Sequence, residues 1–195
     1  MARDNFLFNQ DTGVMLSTFM REEELERWAK LFSEVAQVYI RCFDAEGRPV
    51  TGFIGDEAEK DKVISLTDEN QIHNMLSRLC DSDLEDQAVE TTSYPNLKLA
   101  VVSSRLEGRV VANWLLCAVL NDSDEDEEDF MCPPLTGLKF ALSTKQLYAT
   151  IDALSDFTSM LLEGKVSGIT AREESKRHKV SEEELSVNLR RAESL

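Results

Sequence analysis

Two long apolar runs joined by a few polar residues, Leu97–Ser103 and Arg109–Val119, constrain this chain more than anything else in it. Within Tyr94 to Leu120 the hydrophobic residues follow one another almost without a break. Strands of that kind cannot leave one face wet, so a sheet built on them must be covered on both sides. The polar joint Ser104-Arg105-Leu106-Glu107-Gly108 predicts a hairpin, with Gly108 as the left-handed residue. Arg105, Glu107 and Arg109 also stop the run short of the ~20 apolar residues that a membrane-spanning helix needs.

The cover has to come from helices, and three are predicted. The first starts near Arg21, where Glu22, Glu23 and Glu24 suit the positive end of a helix dipole. Leu25, Trp28, Ala29, Phe32, Val35 and Ala36 then recur at helical spacing. The second takes Thr67 as its N-cap and runs to about Cys80, with Ile72, Met75, Leu76 and Leu79 on one face. The third starts at Ser143, with Gln146 three residues on completing a capping box. Leu147, Ile151, Leu154, Thr158 and Leu161 follow at 4-3-4-3 spacing, which reads as the seam of a parallel dimer. Gly164 and Gly168 are expected to interrupt this helix, and Ser181 with Glu184 to restart it.

The remaining strands are shorter. Gln37 to Phe43 alternates with period two, Asp44 to Pro49 is a turn, and Val50 to Ile54 returns as the second arm of a hairpin. Gly52 and Gly55 thin that arm, either as an edge irregularity or as room for a ligand beside the backbone. Asp56 to Asp61 reads as a charged loop, Asp81 to Glu85 as a helical turn, and Gln87 to Ser93 as a third strand. The sum is an α+β chain: a five-stranded antiparallel sheet with helices packed on it and a C-terminal heptad helix.

That order is the layout of PAS and GAF-like sensor domains. Asn96-Leu97-Lys98-Leu99-Ala100-Val101-Val102, Gly108, and Val111-Ala112-Asn113-Trp114-Leu115-Leu116-Cys117-Ala118-Val119 resemble the closing hairpin of PocR-type sensory domains. These are PAS-related modules at the front of bacterial histidine kinases, diguanylate cyclases and transcription regulators, and the resemblance covers Glu22 to Leu162. It implies a small organic ligand and a signal leaving through the last helix. The expected organisation is an anchoring segment over 1–20, with Phe6, Leu7 and Phe8, then a PAS-like sensory domain over 21–142. A signalling helix and linker over 143–195 follow, leading to an output domain beyond Leu195.

Composition excludes several other functions. The chain has 37 acidic against 21 basic residues, a formal net charge of -16, which repels phosphate backbones and anionic lipid. Its richest basic cluster, Arg172, Lys176, Arg177 and Lys179, is interleaved with Glu173 and Glu174, so direct nucleic-acid contact is not expected. Seven carboxylates fall in Asn121 to Asp129, a solvated loop without the ligand ladder of a calcium site. Cys42, Cys80, Cys117 and Cys132 form no close pair, which argues for reduced thiols in a cytoplasmic protein and against zinc.

No phosphate-binding glycine loop, GxSxG or HExxH occurs, and no cofactor is required by the sequence. Of the two histidines, His73 is either an exposed polar-face residue or a proximal haem ligand, and His178 lies in the charged tail. No catalytic residue is assigned: this stretch is expected not to be an enzyme, and any kinase or cyclase domain would lie downstream. A ligand is expected between the inner sheet face and the helix after the second strand, lined by Tyr39, Arg41, Phe43, Asn113, Trp114 and Leu116. Arg41 and Asn113 stand out, because a polar side chain inside apolar strands must find a carboxylate, a backbone group or a ligand. The alternative is a non-catalytic interaction or dimerisation scaffold with a solid core and no small ligand.

Overall fold

The last strand runs through the middle of the sheet. The computed structural model describes residues 20–82, 85–122 and 132–193. In chain order these form α1 (Glu22–Ala36), β1 (Tyr39–Asp44), α2 (Lys60–Ile64), α3 (Glu69–Asp81), β2 (Gln87–Thr91), β3 (Leu97–Leu106), β4 (Arg109–Val119) and α4 (Thr144–Glu193). The sheet has the order β1-β4-β3-β2 and every pairing is antiparallel. The expected anchoring segment except for the buried Met20, and most of the acidic loop, lie outside the described residues, as do two residues of the Asp81 to Glu85 turn. Among the described residues no helix is long and apolar enough to cross a membrane.

The β3–β4 hairpin is tighter than its polar joint suggests. Leu106 pairs with Arg109, so only Glu107 and Gly108 turn the chain, and both have positive φ, 51° and 81°. Two successive positive φ values define the primed turn whose twist matches the flanking strands. Arg105 thus belongs to β3, just past a register shift at Ser104, and its guanidinium reaches the carbonyls of Leu79 and Glu85 and the carboxylate of Asp86. A residue that looked like turn polarity therefore caps the end of α3.

Among the described residues the sheet has four ladder strands, where five are expected. Within the Val50 to Ile54 arm only Ile54 makes a bridge, to Ile40, while Pro49 bridges Phe43. Two causes are visible. Val50 and Thr51 both donate their N–H to the Cys42 carbonyl, and the Thr51 hydroxyl, not a backbone carbonyl, accepts the Cys42 N–H at 3.0 Å. A side chain thus takes a rung of the ladder and the segment bulges.

Period two divides the buried residues cleanly. One sheet face carries Tyr39, Phe43, Leu97, Leu99, Val101, Leu115, Cys117 and Val119, packed with Val63 of α2 and Ile72, Met75, Leu76 and Leu79 of α3. The opposite face carries Ile40, Cys42, Ala100, Val102, Trp114, Leu116 and Ala118, all buried. There Trp28 of α1 meets Trp114, and Phe157 of α4 stacks on Trp28. Each fully buried leucine contributes roughly 1.5–3 kcal/mol, and Leu25, Leu79, Leu97, Leu99, Leu115, Leu116 and Leu147 all belong to that class.

Helix ends follow local chemistry with three corrections. Asp68, not Thr67, caps α3 by accepting the Asn70 N–H at 2.8 Å, while the Thr67 hydroxyl donates to the Ile64 carbonyl at the end of α2. Val35 is 86% exposed, and the buried stripe of α1 takes Ser33 instead, whose hydroxyl donates to the Val38 carbonyl at 2.6 Å. The capping box of α4 forms as expected: Ser143 N–H meets Gln146 Oε1 at 2.7 Å and Gln146 N–H meets Ser143 Oγ at 3.2 Å. The helix then continues without a break past Gly164, Gly168 and Ser181. By internal contacts the chain divides into a unit ending at Ser159 and a second, Met160–Leu195.

Four of the five residues expected to form a dimer seam are buried within the chain itself. Leu147 is 1% exposed, Ile151 1%, Leu154 0% and Thr158 2% within the single chain. A helix lying on a sheet needs an apolar stripe of the same spacing as a coiled coil, so the 4-3-4-3 pattern served the first need. Leu161, in the second unit, is half-buried.

Candidate functional site

The six residues singled out on β1 and β4 do not share one site. The ladder pairs Ile40 with Leu116, Arg41 with Leu115, Cys42 with Trp114 and Phe43 with Asn113. Successive side chains on a strand point to opposite faces. Tyr39, Arg41, Phe43 and Asn113 therefore lie on the α3 side, and Trp114 and Leu116 on the α1 side. Adjacent residues such as Asn113 and Trp114 cannot line one pocket.

On the α3 side, Asn113 has found protein partners. It is fully buried; its Oδ1 accepts from Ser103 Oγ at 2.6 Å, and its Nδ2 faces the Asp44 carbonyl at 3.4 Å and Cys80 Sγ at 3.5 Å. Cys80 Sγ in turn contacts the Ala45 carbonyl at 3.3 Å. Among the described residues every buried side-chain nitrogen and oxygen has a partner. The amide thus ties β3, β4, the end of β1 and α3 together, and its needs are met without a ligand. Tyr39 is likewise engaged. Its ring fills the place a side chain at Gly55 would take, where an added Cβ would stand 2.2 Å from Cδ1. Burial, and then the Glu59 carboxylate beside it, raise its phenol well above the usual tyrosine range.

Arg41 is different. Its Nε donates to the Thr51 carbonyl at 3.2 Å, and its guanidinium carbon sits 5.2 Å from the Phe43 ring centroid and 5.0 Å from that of Phe53. Both distances are within cation–π range. The other basic residues around this end of the sheet, Arg48, Lys60 and Lys139, each pair with a carboxylate. Among the described residues Arg41 pairs with none. Phe53 was not singled out in the sequence, because it sits in a bulged segment where period-two counting fails.

On the α1 side, Trp114 is 1% exposed and its Nε1–H donates to Ser104 Oγ at 3.1 Å across the hairpin. Trp28 meets it edge-on, with centroids 5.0 Å apart and planes at 71°, and stacks on Phe157 at 4.7 Å and 8°. A continuous aromatic contact therefore joins the central strand, α1 and α4. Leu116 is buried on the same face.

Among the described residues no group of three or more His, Cys, Asp and Glu is placed to hold a metal ion. His73 lies on the exposed side of α3, away from the core stripe. All four cysteines are free, and burial pushes the Cys117 thiol up to about 12 and raises Cys42 as well. Protonated, buried thiols are poor nucleophiles and poor ligands.

No family model matches the chain, and no curated protein matches it in sequence. Among solved structures it is similar to the GAF domain/HD domain protein from Geobacter sulfurreducens, at a TM-score of 0.40 and 12% identity. The likeness covers 77% of this chain and 97% of that one.

Proposed function

We propose that the chain is a non-catalytic regulatory module of a signal-transduction protein, in which a ligand held on the sheet biases the packing of α4. The observation that carries this reading is the aromatic contact Trp114–Trp28–Phe157. It gives the central strand a physical path to a helix that continues for 50 residues, from Thr144 to Glu193. Coupling of this kind needs an element with two arrangements, and a ligand shifts it only by its differential affinity for them. Edge and stacking contacts of about 0.5–1.5 kcal/mol each are of the size such a bias requires. The output module suited to this design is of the histidine-kinase or cyclase type suggested by the PocR resemblance. A dimer through Leu147, Ile151, Leu154 and Thr158 forms no part of the mechanism, because the chain buries those residues itself.

A double-mutant cycle tests the coupling. Trp114→Phe and Phe157→Leu alter residues that each touch Trp28 from opposite sides. A coupling energy of about 0.5 kcal/mol or more in urea unfolding supports the path, whereas additivity of the two changes contradicts it.

A scaffold without a small ligand is the second reading. It is favoured by the side-chain-filled core on the α3 side and by Leu31 and Val35 of α1, which are 56% and 86% exposed.

A further inference from the structure

We propose that the guanidinium of Arg41 is the anchor of a binding site for small organic carboxylates at the β1 edge of the sheet. This gives the module of the preceding subsection its ligand class. It rests on that reading for the consequence of binding, though not for binding itself.

The geometry is that of a cation fixed in advance. Arg41 lies between Tyr39 and Phe43 on one face of β1, so its stem is held in an aromatic row. Nε is bonded to the Thr51 carbonyl, and Thr51 is itself 4% exposed and tied to Cys42 through its hydroxyl. Phe43 and Phe53 are positioned within 5.2 and 5.0 Å of the guanidinium carbon. Contacts to the rings and at Nε leave the far edge, Nη1 and Nη2, without a protein partner among the described residues. That edge is a planar fork whose geometry matches two oxygens of one acceptor. The ordering of a long side chain is a cost that a ligand would otherwise meet, and here the fold has already met it.

The chain's charge makes this fork unusual. With 37 acidic residues against 21 basic, a half-buried arginine would ordinarily be claimed by a carboxylate of its own protein. Instead the fold surrounds it with two phenylalanines and a carbonyl. The same charge selects among anions: a field of net -16 opposes a phosphate dianion more than a carboxylate monoanion. The surroundings admit a carbon body. Phe53 is partly buried against the core, and at Gly52, next to the anchoring Thr51, an added Cβ would meet nothing within 4 Å. Gly55 is spoken for by Tyr39, whereas Gly52 borders open space.

The experiment follows the side-chain Nε–Hε resonance of Arg41 by NMR in the full chain, with benzoate as probe. Benzamide serves as the uncharged isostere and inorganic phosphate as the tetrahedral anion. The expected result is a saturable shift with benzoate, with Kd in or below the range of about 1 mM. Benzamide should produce none, and Arg41→Lys, which keeps the charge but loses the fork, should weaken benzoate binding by about tenfold or more, followed in that variant by the backbone amide shifts of Thr51 to Phe53. An equal response to benzamide, a response to phosphate as strong as to benzoate, or no movement of Arg41 up to about 10 mM benzoate overturns the proposal. Where Arg41→Lys fails to fold, the three probes on the unaltered chain decide. Benzoate binding without any response in α4 would sink the regulatory reading and leave the site standing. Coupling between Trp114 and Phe157 without benzoate binding would do the reverse.

Discussion

Trp28 of α1 stands edge-on to Trp114 of β4, their ring centroids 5.0 Å apart and their planes crossing at 71°. Trp114 is fixed from behind by its bond to Ser104, and Trp28 is backed by Phe157. One side chain thus holds two elements on the same sheet face. Trp28→Ala should cost about 2–3 kcal/mol, below the range for a fully buried aromatic because Trp28 is half-buried. Trp28→Phe should cost less than half as much. Urea unfolding followed by far-UV circular dichroism measures both. A loss below about 1 kcal/mol for the alanine variant would mean that the helices are held on the sheet by other contacts.

The buried amide on the other face makes a different prediction. Asn113→Ala removes the acceptor for Ser103 Oγ and the donor facing Asp44 and Cys80, so it should destabilise by about 2–3 kcal/mol. Ser103→Ala in that background should cost little more, since the hydroxyl has already lost its partner. Strict additivity of the two changes would show that the pair is not one network.

Gly52 and Gly55 are three residues apart and should respond in opposite ways. Alanine at Gly55 drives a Cβ into the Tyr39 ring, with an expected cost of about 1–3 kcal/mol. Alanine at Gly52 meets open space and should be neutral, or stabilising by a few tenths of a kcal/mol through the unfolded chain. Thermal unfolding of the two variants checks the contrast, and equal effects would contradict it.

Stability should fall as the solution becomes alkaline. Burial raises the Cys117 thiol from 9.0 to about 12, and raises Cys42 and the Tyr39 phenol too. Above pH ~9 the unfolded chain therefore sheds thiol protons that the native chain keeps, so unfolding gains at up to about 1.4 kcal/mol per pH unit for each thiol. Below that pH the contribution is fully present. Urea midpoints should drop between pH ~9 and ~11, and Cys42→Ala with Cys117→Ala should flatten the slope. An unchanged slope in the double variant would show that other groups govern the alkaline limb.

Much of this fold was legible because its signals are local. The bounds of β4, the buried face of α3 and the Ser143–Gln146 capping box each depend on residues within a turn or a strand of one another. The errors arise where distant partners decide. Thr51 breaks the fifth strand by offering its hydroxyl to Cys42, a bond nine residues away that no periodicity records. Leu147, Ile151, Leu154 and Thr158 carry a spacing that serves a sheet as well as a partner helix, so the pattern alone could not choose. Asn113 and Trp114 are neighbours in sequence but face opposite sides of β4. Arg41 stands out in the sequence as a charged residue among apolar neighbours, but its partners, Phe43, Phe53 and the Thr51 carbonyl, emerge only from the folded edge.

The central claim is that β4 and α4 sense one another through Trp28. Amide hydrogen exchange over Thr144–Ser159 in a Ser104→Ala, Trp114→Phe variant tests it most directly, because both changes lie in the sheet and neither residue belongs to α4. The account predicts that exchange in this stretch of α4 accelerates several-fold while the β3–β4 ladder keeps its protection. Unchanged protection in α4, or a loss there that only matches a loss across the whole sheet, would contradict it.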